Sequence, residues 1–594
     1  MIEIVLILIT GLGVLLGLEP FANSIFSLLT PIGLILLSRK TKKYNIFYSI
    51  LIYIALSFSI TLFAFPWVFK GVRNISNANL LTASLFFITY SVIANLKVLF
   101  LFFFSNLILK FSKVSVIWVY AIVAMATDIW TYQLFPWFYG NLSVGNTLEI
   151  QIASFFSVYV LSFLLFLKGY LVLVVGKFFF HYKKQKGFKA TFNYIPKILK
   201  KVLINFKHRV HVHTSVAFMI LVLVYLFGFY KLYWNTQNTS GTVTIAIIQP
   251  NTGRAVANKK EDFEYARAAL TTVFELSLKA IYESHGKLDM LVLPESAIPF
   301  HGIDNSQENI DHSIYSVTFH SILGFLSKYG RQTIIYNEMD RKSGKLFNLA
   351  SVFGLDGKRA DTYQKQLLLP IGEFLPFEKQ FPILRKIFPE TGYYKQSETS
   401  KLLEYSYIPR ENKAILQPFK QEDLSQINNL DALFANWPKV DRLKKGYFLP
   451  LICYEAMHPD LVRNFLQLPE KPDFIVNLAN DSWFGNYLEN YQHSGAVKFR
   501  AIETGRYVVR STLSGFSSFI SPKGEYLQTS KGLESKEVLL QEIPKSSEVT
   551  PYALYGKIPL YCLMVILFVF IISELRIKLP RQSDNNGNDY GKYK

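Results

Sequence analysis

Apolar blocks long enough to cross a bilayer recur through the first 235 residues and return once near the C-terminus. A crossing helix needs roughly 20 apolar residues. Hydrocarbon cannot hydrogen-bond an open backbone, so each block must close its own hydrogen bonds as a helix. Eight spans are predicted, over 3–18, 24–38, 45–69, 81–109, 115–135, 153–176, 214–232 and 555–574. The first block has no basic leader and no small-residue cleavage pattern, so it reads as a span and not as a signal peptide. Residues 242–545 have ordinary globular composition and are numerous enough to bury a core of their own. The expected organisation is a membrane domain over 1–235, an extramembrane domain over 242–545, an eighth span within 550–576 and a tail over 577–594.

Charge sets the orientation. The net charge of +20 invites a nucleic-acid reading, but much of the excess sits in short connections between spans. Arg39, Lys40, Lys42 and Lys43 follow span two, and Lys110 and Lys113 follow span four. Residues 177–213 hold ten Lys or Arg and no Asp or Glu, and Arg576, Lys578 and Arg581 follow span eight. Eight alternating spans place all four groups on one face, the cytoplasmic one. The large domain then lies on the outer face, and nucleic acid is not an expected partner. Within 177–213, Lys177 and the three phenylalanines after it also suit a segment lying along the inner leaflet; a solvated basic loop is the alternative.

The extramembrane domain alternates strand and helix. Strands are predicted at 243–248, 288–293, 332–337, 347–354, 449–453, 473–478, 506–512 and 516–520. Helices are predicted at 259–284, 311–329, 458–467 and 489–505. This alternation means an α/β layered domain. Residues 395–446 are read as a long polar loop at the mouth of the site, or alternatively as a solvated insertion away from it. Three residues able to do chemistry sit at strand ends: Glu295, Lys365 and Cys453. Each alone has a bland reading, as loop carboxylate, surface lysine or core thiol. Together they meet the needs of one chemistry. A thiol is a nucleophile only as thiolate, a carboxylate can take its proton, and an ammonium stabilises thiolate and oxyanion alike. Backbone N–H groups after the thiol, that of Tyr454 included, add to the same field. The only other cysteine, Cys562, lies inside the last apolar block, so a disulfide framework is not expected.

Four segments resemble bacterial apolipoprotein N-acyltransferases. They are Pro294-Glu295-Ser296-Ala297-Ile298-Pro299, the stretch from Tyr363-Gln364-Lys365 to Pro370-Ile371-Gly372-Glu373-Phe374-Leu375-Pro376, Ile452-Cys453-Tyr454-Glu455, and Asn480-Asp481-Ser482-Trp483-Phe484-Gly485. Phe135-Pro136-Trp137 and Thr550-Pro551-Tyr552 extend the likeness into the flanking membrane regions. The resemblance implies a polytopic helical membrane domain carrying a nitrilase-like αββα sandwich. It implies Glu295, Lys365 and Cys453 as catalytic triad, Glu373 as a second glutamate positioning the lysine, and Tyr454 and Glu455 shaping the site. It implies acyl transfer from a phospholipid to Cys453, then to the α-amine of a diacylglyceryl-cysteine on an apolipoprotein, the last step of lipoprotein maturation. It implies the bacterial inner membrane, with the domain on its periplasmic face, and neither metal nor cofactor.

Two other readings compete: a membrane-tethered amidohydrolase and a transporter with an accessory domain. Transporters usually place several ionisable groups inside their spans, and only Lys97 and Asp128 stand out there. Both lie about 22–24 Å from the turn joining spans four and five, at 1.5 Å per residue. Their depths match, so antiparallel neighbours can bring them together as an ion pair if the helix faces agree; the alternative is that each sits separately, Lys97 on backbone carbonyls and Asp128 near the outer surface.

Overall fold

A computed structural model describes residues 1–186, 209–235, 239–253, 263–298, 310–342, 345–389, 391–409, 443–485 and 488–573. In the N-terminal region, Ile46–Ala64, Leu80–Phe111, Tyr159–Phe180 and Val212–Tyr233 are long and apolar enough to cross a membrane. Ile2–Gly17, Val116–Trp130 and the C-terminal Ile558–Ser573 are shorter apolar helices. The predicted span 45–69 is two elements, because the helix stops at Ala64 and a short amphipathic helix, Trp67–Ser76, follows. The predicted span 81–109 is interrupted at Asn95, whose side-chain amide donates to Ser91 O, Ser57 O and Thr61 Oγ1. A helix-interrupting amide in an apolar region survives only with such partners. Of the basic segment 177–213, residues up to 186 continue the helix from Tyr159, and 187–208 lie outside the described residues.

Lys97 and Asp128 meet, 2.9 Å apart and fully buried. The second Asp128 oxygen accepts from the Tyr139 N–H at 2.7 Å and from the Ser162 hydroxyl at 2.6 Å. Lys97 also donates to the Trp137 carbonyl and lies 3.3 Å from the Trp137 ring centroid. A second, partly buried pair corrects the expectation that these were the only ionisable groups to note. Lys168, inside the predicted span 153–176, binds Glu149, which also accepts from Asn146.

The extramembrane domain is built on twelve strands. The first sheet holds β1 (Thr239–Gln249), β2 (Met290–Val292), β3 (Thr333–Lys342), β4 (Lys345–Phe353) and β5 (Arg359–Gln364), with β12 (Glu537–Ser546) on its outer edge beside β1. The second holds β6 (Leu403–Tyr407), β7 (Lys444–Ile452), β8 (Phe474–Ala479), β9 (Val508–Thr512), β10 (Ser518–Ile520) and β11 (Tyr526–Thr529), in that order across the sheet. β1–β2–β3 and β7–β8–β9 pair in parallel, which requires crossover connections.

Alternation along β1 shows the layering. Val243, Ile245 and Ile247 join the core shared with Leu449, Leu451, Ile475 and Val509 of the second sheet. Ala246 and Ile248 face the other way, into a core with Leu270, Val273, Leu323 and Leu326 of the helices Phe263–Glu283 and Ile310–Gly330. The sheets therefore pack face to face with helices outside them, an αββα sandwich. β8 is buried at every position, as a strand covered on both faces should be.

The helix Leu488–Thr504 covers the second sheet and touches the membrane region as well. Gln492 accepts from the Trp67 indole at 2.9 Å and donates to Ala64 O at 2.8 Å. Lys498 pairs with Glu19 at 2.7 Å, and Glu503 accepts from the Ser157 hydroxyl and the Val158 N–H. Phe484 approaches Gly71 so closely that a Cβ there would sit 2.7 Å from its ring.

The predicted loop 395–446 needs correcting: its residues 403–407 are β6, an edge strand paired antiparallel with β7. Leu403, Tyr405 and Tyr407 point inward, so burial of one face ties the segment to the sheet. Residues 410–442, on which the gating reading rests, lie outside the described residues.

Candidate active site

Glu295 lies three residues beyond β2, Lys365 directly after β5, and Cys453 directly after β7. Two strands belong to one sheet and the third to the other, so the site closes across one end of the sandwich. All three side chains are buried. Lys365 Nζ lies 2.9 Å from Glu373 and 3.5 Å from Glu295. The Cys453 thiol and the Glu295 carboxyl lie close enough to act on each other's charge.

Two asparagines on the neighbouring strands β3 and β4 organise the carboxylates. The Asn348 amide donates to Glu295 at 3.1 Å and to Glu373 at 2.8 Å. Asn337 donates to Asn348 Oδ1 at 2.6 Å and accepts from the Ser296 N–H at 2.9 Å. Glu373 is further fixed by the Leu369 N–H, at 2.7 Å. Neither asparagine was singled out from sequence. The available signal was a polar amide inside an apolar strand, in Phe347-Asn348-Leu349, since buried polar groups need partners.

Electrostatics set the resting state. Burial raises the Glu295 carboxyl above the ordinary glutamate range; Lys365 opposes this and Glu373 adds to it. Burial works against the Lys365 charge, but Glu373 and Glu295 outweigh it and hold the ammonium above its ordinary range. Burial pushes the Cys453 thiol well up, with Glu295 adding and Lys365 opposing. Cys453 thus rests as a neutral thiol beside a carboxyl group and an ammonium, an arrangement able to take up a thiol proton and to stabilise negative charge.

Cys453 has φ +52°, in the left-handed region where a Cβ costs about 1–2 kcal/mol. The turn is held by its surroundings. The Cys453 carbonyl accepts from His493 Nε2 at 3.2 Å and from the Asn477 amide at 3.4 Å. Glu455 sits behind the nucleophile and joins both sides of the site. One oxygen accepts from the Ile452 N–H at 2.8 Å. The other accepts from the Gln366 and Leu367 N–H groups, at 2.6 and 3.2 Å, and from the Tyr363 hydroxyl at 2.8 Å. Burial pushes Glu455 up to about 7. Tyr454 points out of the sandwich, donating to Leu134 O at 2.6 Å and meeting the Phe135 ring.

Cys453 opens onto a cavity between the sandwich and the membrane region, with about 720 Å³ of non-atom space, its open mouth included. Phe65, Trp67, Tyr90, Phe135 and Trp137 wall one side; Tyr454, Phe484, Glu489 and His493 line the other. Asp481, Glu489 and His493 carry ligand-type atoms within 4.8 Å of one another. The Arg510 guanidinium takes both Asp481 oxygens, at 2.9 and 2.8 Å.

The fold and the thiol–carboxylate–ammonium geometry define a membrane-attached protein of the carbon-nitrogen hydrolase class, and the family model described as carbon-nitrogen hydrolase matches residues 244–552. Apolipoprotein N-acyltransferase 1 of Leptospira interrogans is 34% identical over 537 residues, covering 86% of each chain. Apolipoprotein N-acyltransferase 2 of the same species is 27% identical, covering 95% of this chain and 94% of that one. The apolipoprotein N-acyltransferase of Haemophilus influenzae is 24% identical, covering 96% and 94%. The chain belongs to the apolipoprotein N-acyltransferase family.

Proposed function

We propose that this protein moves an acyl chain from a phospholipid to the α-amine of a diacylglyceryl-cysteine at the N-terminus of an apolipoprotein, through a thioester on Cys453. The observation that carries this reading is the cavity: the nucleophile opens onto an apolar space walled on one side by helices of the membrane region. A water-soluble amide needs no such wall, which sets the amidohydrolase alternative aside; the transporter alternative leaves the triad without a use.

In the first half-reaction Glu295 takes the Cys453 proton and the thiolate attacks the ester carbonyl. Lys365, anchored by Glu373, stabilises the oxyanion together with the backbone after Cys453. The tetrahedral intermediate collapses, Glu295 returns the proton to the leaving oxygen, and a lysophospholipid departs. In the second, the amine attacks the thioester, the C–N bond forms, the C–S bond breaks and the thiol is restored. Apolar walls keep water from the thioester meanwhile. Glu455 and Tyr454 act by position, one stapling the two catalytic loops and the other tying the nucleophile to the membrane region.

The proposed topology has eight spans, including the shorter apolar helices, in the bacterial inner membrane, with the sandwich on the periplasmic face. It rests on the basic connections that alternate with the spans. The proposed units are 1–235, 242–545, 550–576 and the tail 577–594.

Intact-mass measurement tests the chemistry. Incubation with phospholipid vesicles should add one acyl chain to the protein and none to Cys453→Ser, and a diacylglyceryl-cysteine peptide should discharge it with amide formation. No adduct, or discharge to free fatty acid alone, would overturn the reading.

A further inference from the structure

We infer that Glu489 receives the acceptor's α-ammonium and takes its first proton, so that a free amine reaches the thioester; this rests on the proposed acyl transfer. An α-amino group with a pKa of about 8 is mostly protonated near neutrality, and an ammonium has no lone pair for attack. Glu295 is committed to the thiol and the leaving group, and Lys365 and Glu373 to each other. A second proton acceptor is needed where the amine enters.

Glu489 and His493 stand one turn apart on Leu488–Thr504, facing the cavity onto which Cys453 opens. Glu489 is only 5% exposed, and its Oε2 has no hydrogen-bond partner among the described residues. A buried carboxylate oxygen left unpaired is costly, and an ammonium is the partner that relieves it best. Its other oxygen lies 3.3 Å from His493 Nδ1, which is also 3.3 Å from Asp481. His493 Nε2 faces the Cys453 carbonyl, an acceptor only, so that nitrogen carries a hydrogen. Arg510 holds Asp481 ionised from the far side. The imidazole therefore stands between Glu489 and the backbone of the nucleophile, with Nδ1 near both carboxylates and Nε2 on the Cys453 carbonyl. The groups that face Glu489 and set its titration are His493, Asp481 and Arg510; burial, with Asp481 adding, pushes it up to about 7. A carboxyl that binds a proton near neutrality can both take one from the amine and give it up again.

Glu489 takes one proton from the ammonium; the neutral amine attacks the thioester carbon and the C–N bond forms. The second nitrogen proton passes to Glu295, the C–S bond breaks, and Glu295 protonates the departing thiolate. Glu489 releases its proton through the cavity mouth.

The test uses the full-length enzyme loaded with one acyl chain and then mixed with either of two nucleophiles. One is a diacylglyceryl-cysteine peptide, whose amine arrives as ammonium; the other is hydroxylamine, largely uncharged at pH 7.5. Glu489→Gln should take up the acyl chain normally and react with hydroxylamine at the unmodified rate, while discharge to the peptide slows about tenfold or more. Glu489→Asp should recover part of the peptide rate, and raising the pH should narrow the Gln deficit as more amine arrives neutral. Equal slowing with both nucleophiles would mean a purely structural role and overturn the inference. So would an unchanged peptide rate, or loss of acyl uptake in Glu489→Gln with a normal melting temperature. Should the Gln protein not accumulate, the same comparison made on the Asp protein decides. An unmodified enzyme that never acquires an acyl chain overturns the proposed function itself, a separate outcome.

Discussion

Asn348 holds two carboxylates in one frame and favours the ionised form of Glu295, the proposed base. It donates to Glu295 and Glu373 at once, so neither can turn without losing a bond. Asn348→Asp keeps the shape and places a third carboxyl there. Like charges raise a carboxyl's pKa, and Glu295 must be ionised to accept the thiol proton. The acid limb of the acylation rate should therefore move to higher pH, read from acyl-adduct formation across a pH series; an unmoved limb would exclude Glu295 as the base. Lys365 lowers the proton affinity of Cys453 against burial. Lys365→Met should slow alkylation of Cys453 by neutral iodoacetamide at pH 7, about tenfold for each pKa unit that the thiol rises. Alkylation at the unmodified rate would mean that the ammonium does not stabilise the thiolate. Glu373→Ala leaves Lys365 without its 2.9 Å partner and should cost acylation more than melting temperature.

At the scale of elements, Lys97 and Asp128 repay their depth. Equal depth on neighbouring antiparallel helices made the pair one of two readings, and the helix faces, which the sequence did not decide, bring the side chains together. The remaining partners were not legible: the Tyr139 N–H and Ser162 hydroxyl on Asp128 come from a later turn and another helix. They bear on the obvious experiment. Exchanging the charges would point a lysine at two donors, so Lys97→Asp with Asp128→Lys should recover little. Lys97→Met alone strands a buried carboxylate, which costs about 3–5 kcal/mol. Adding Asp128→Asn should recover part of that loss, seen as a partial return of thermal stability in detergent; strictly additive losses would mean that the ion pair contributes nothing. The strands divide along the same physical line. β1, β3, β4, β7, β8 and β9 are apolar runs bounded by turn residues, and the sequence marks them. β12 was missed because it is an edge strand with one wet face and Pro544 in its ladder, a position where proline is tolerated. β6 alternates inward and outward side chains, but its five residues sit inside a polar stretch that hid the period. The grouping of Glu295, Lys365 and Cys453 was legible because the three residue types suit one reaction. Asn348, Glu489 and His493 were not, because each acquires its meaning only from neighbours distant in sequence.

For the whole molecule, the docking of sandwich on membrane helices is part of the site. Trp67 both lines the cavity and donates to Gln492 across the junction. Trp67→Ala opens that wall. The thioester should still form, but more of it should end as free fatty acid and less as amide, measured as the ratio of the two products from one labelled phospholipid. An unchanged ratio would mean that the aromatic wall does not exclude water.

The junction also has a practical consequence for anyone who handles this protein. Its polar clamps, Lys498 to Glu19, Glu503 to Ser157 and Gln492 to Ala64, hold two halves whose native surroundings differ. A harsh detergent that parts them opens the cavity wall while β2, β5 and β7 still lead to Glu295, Lys365 and Cys453. Such a preparation would not fall silent. It would go on consuming phospholipid and shedding lysophospholipid while squandering the acyl chain on water. An assay that counts only the first product would record damaged molecules as healthy ones, and the quality of a preparation is better judged by the fraction of consumed lipid that reappears on the acceptor.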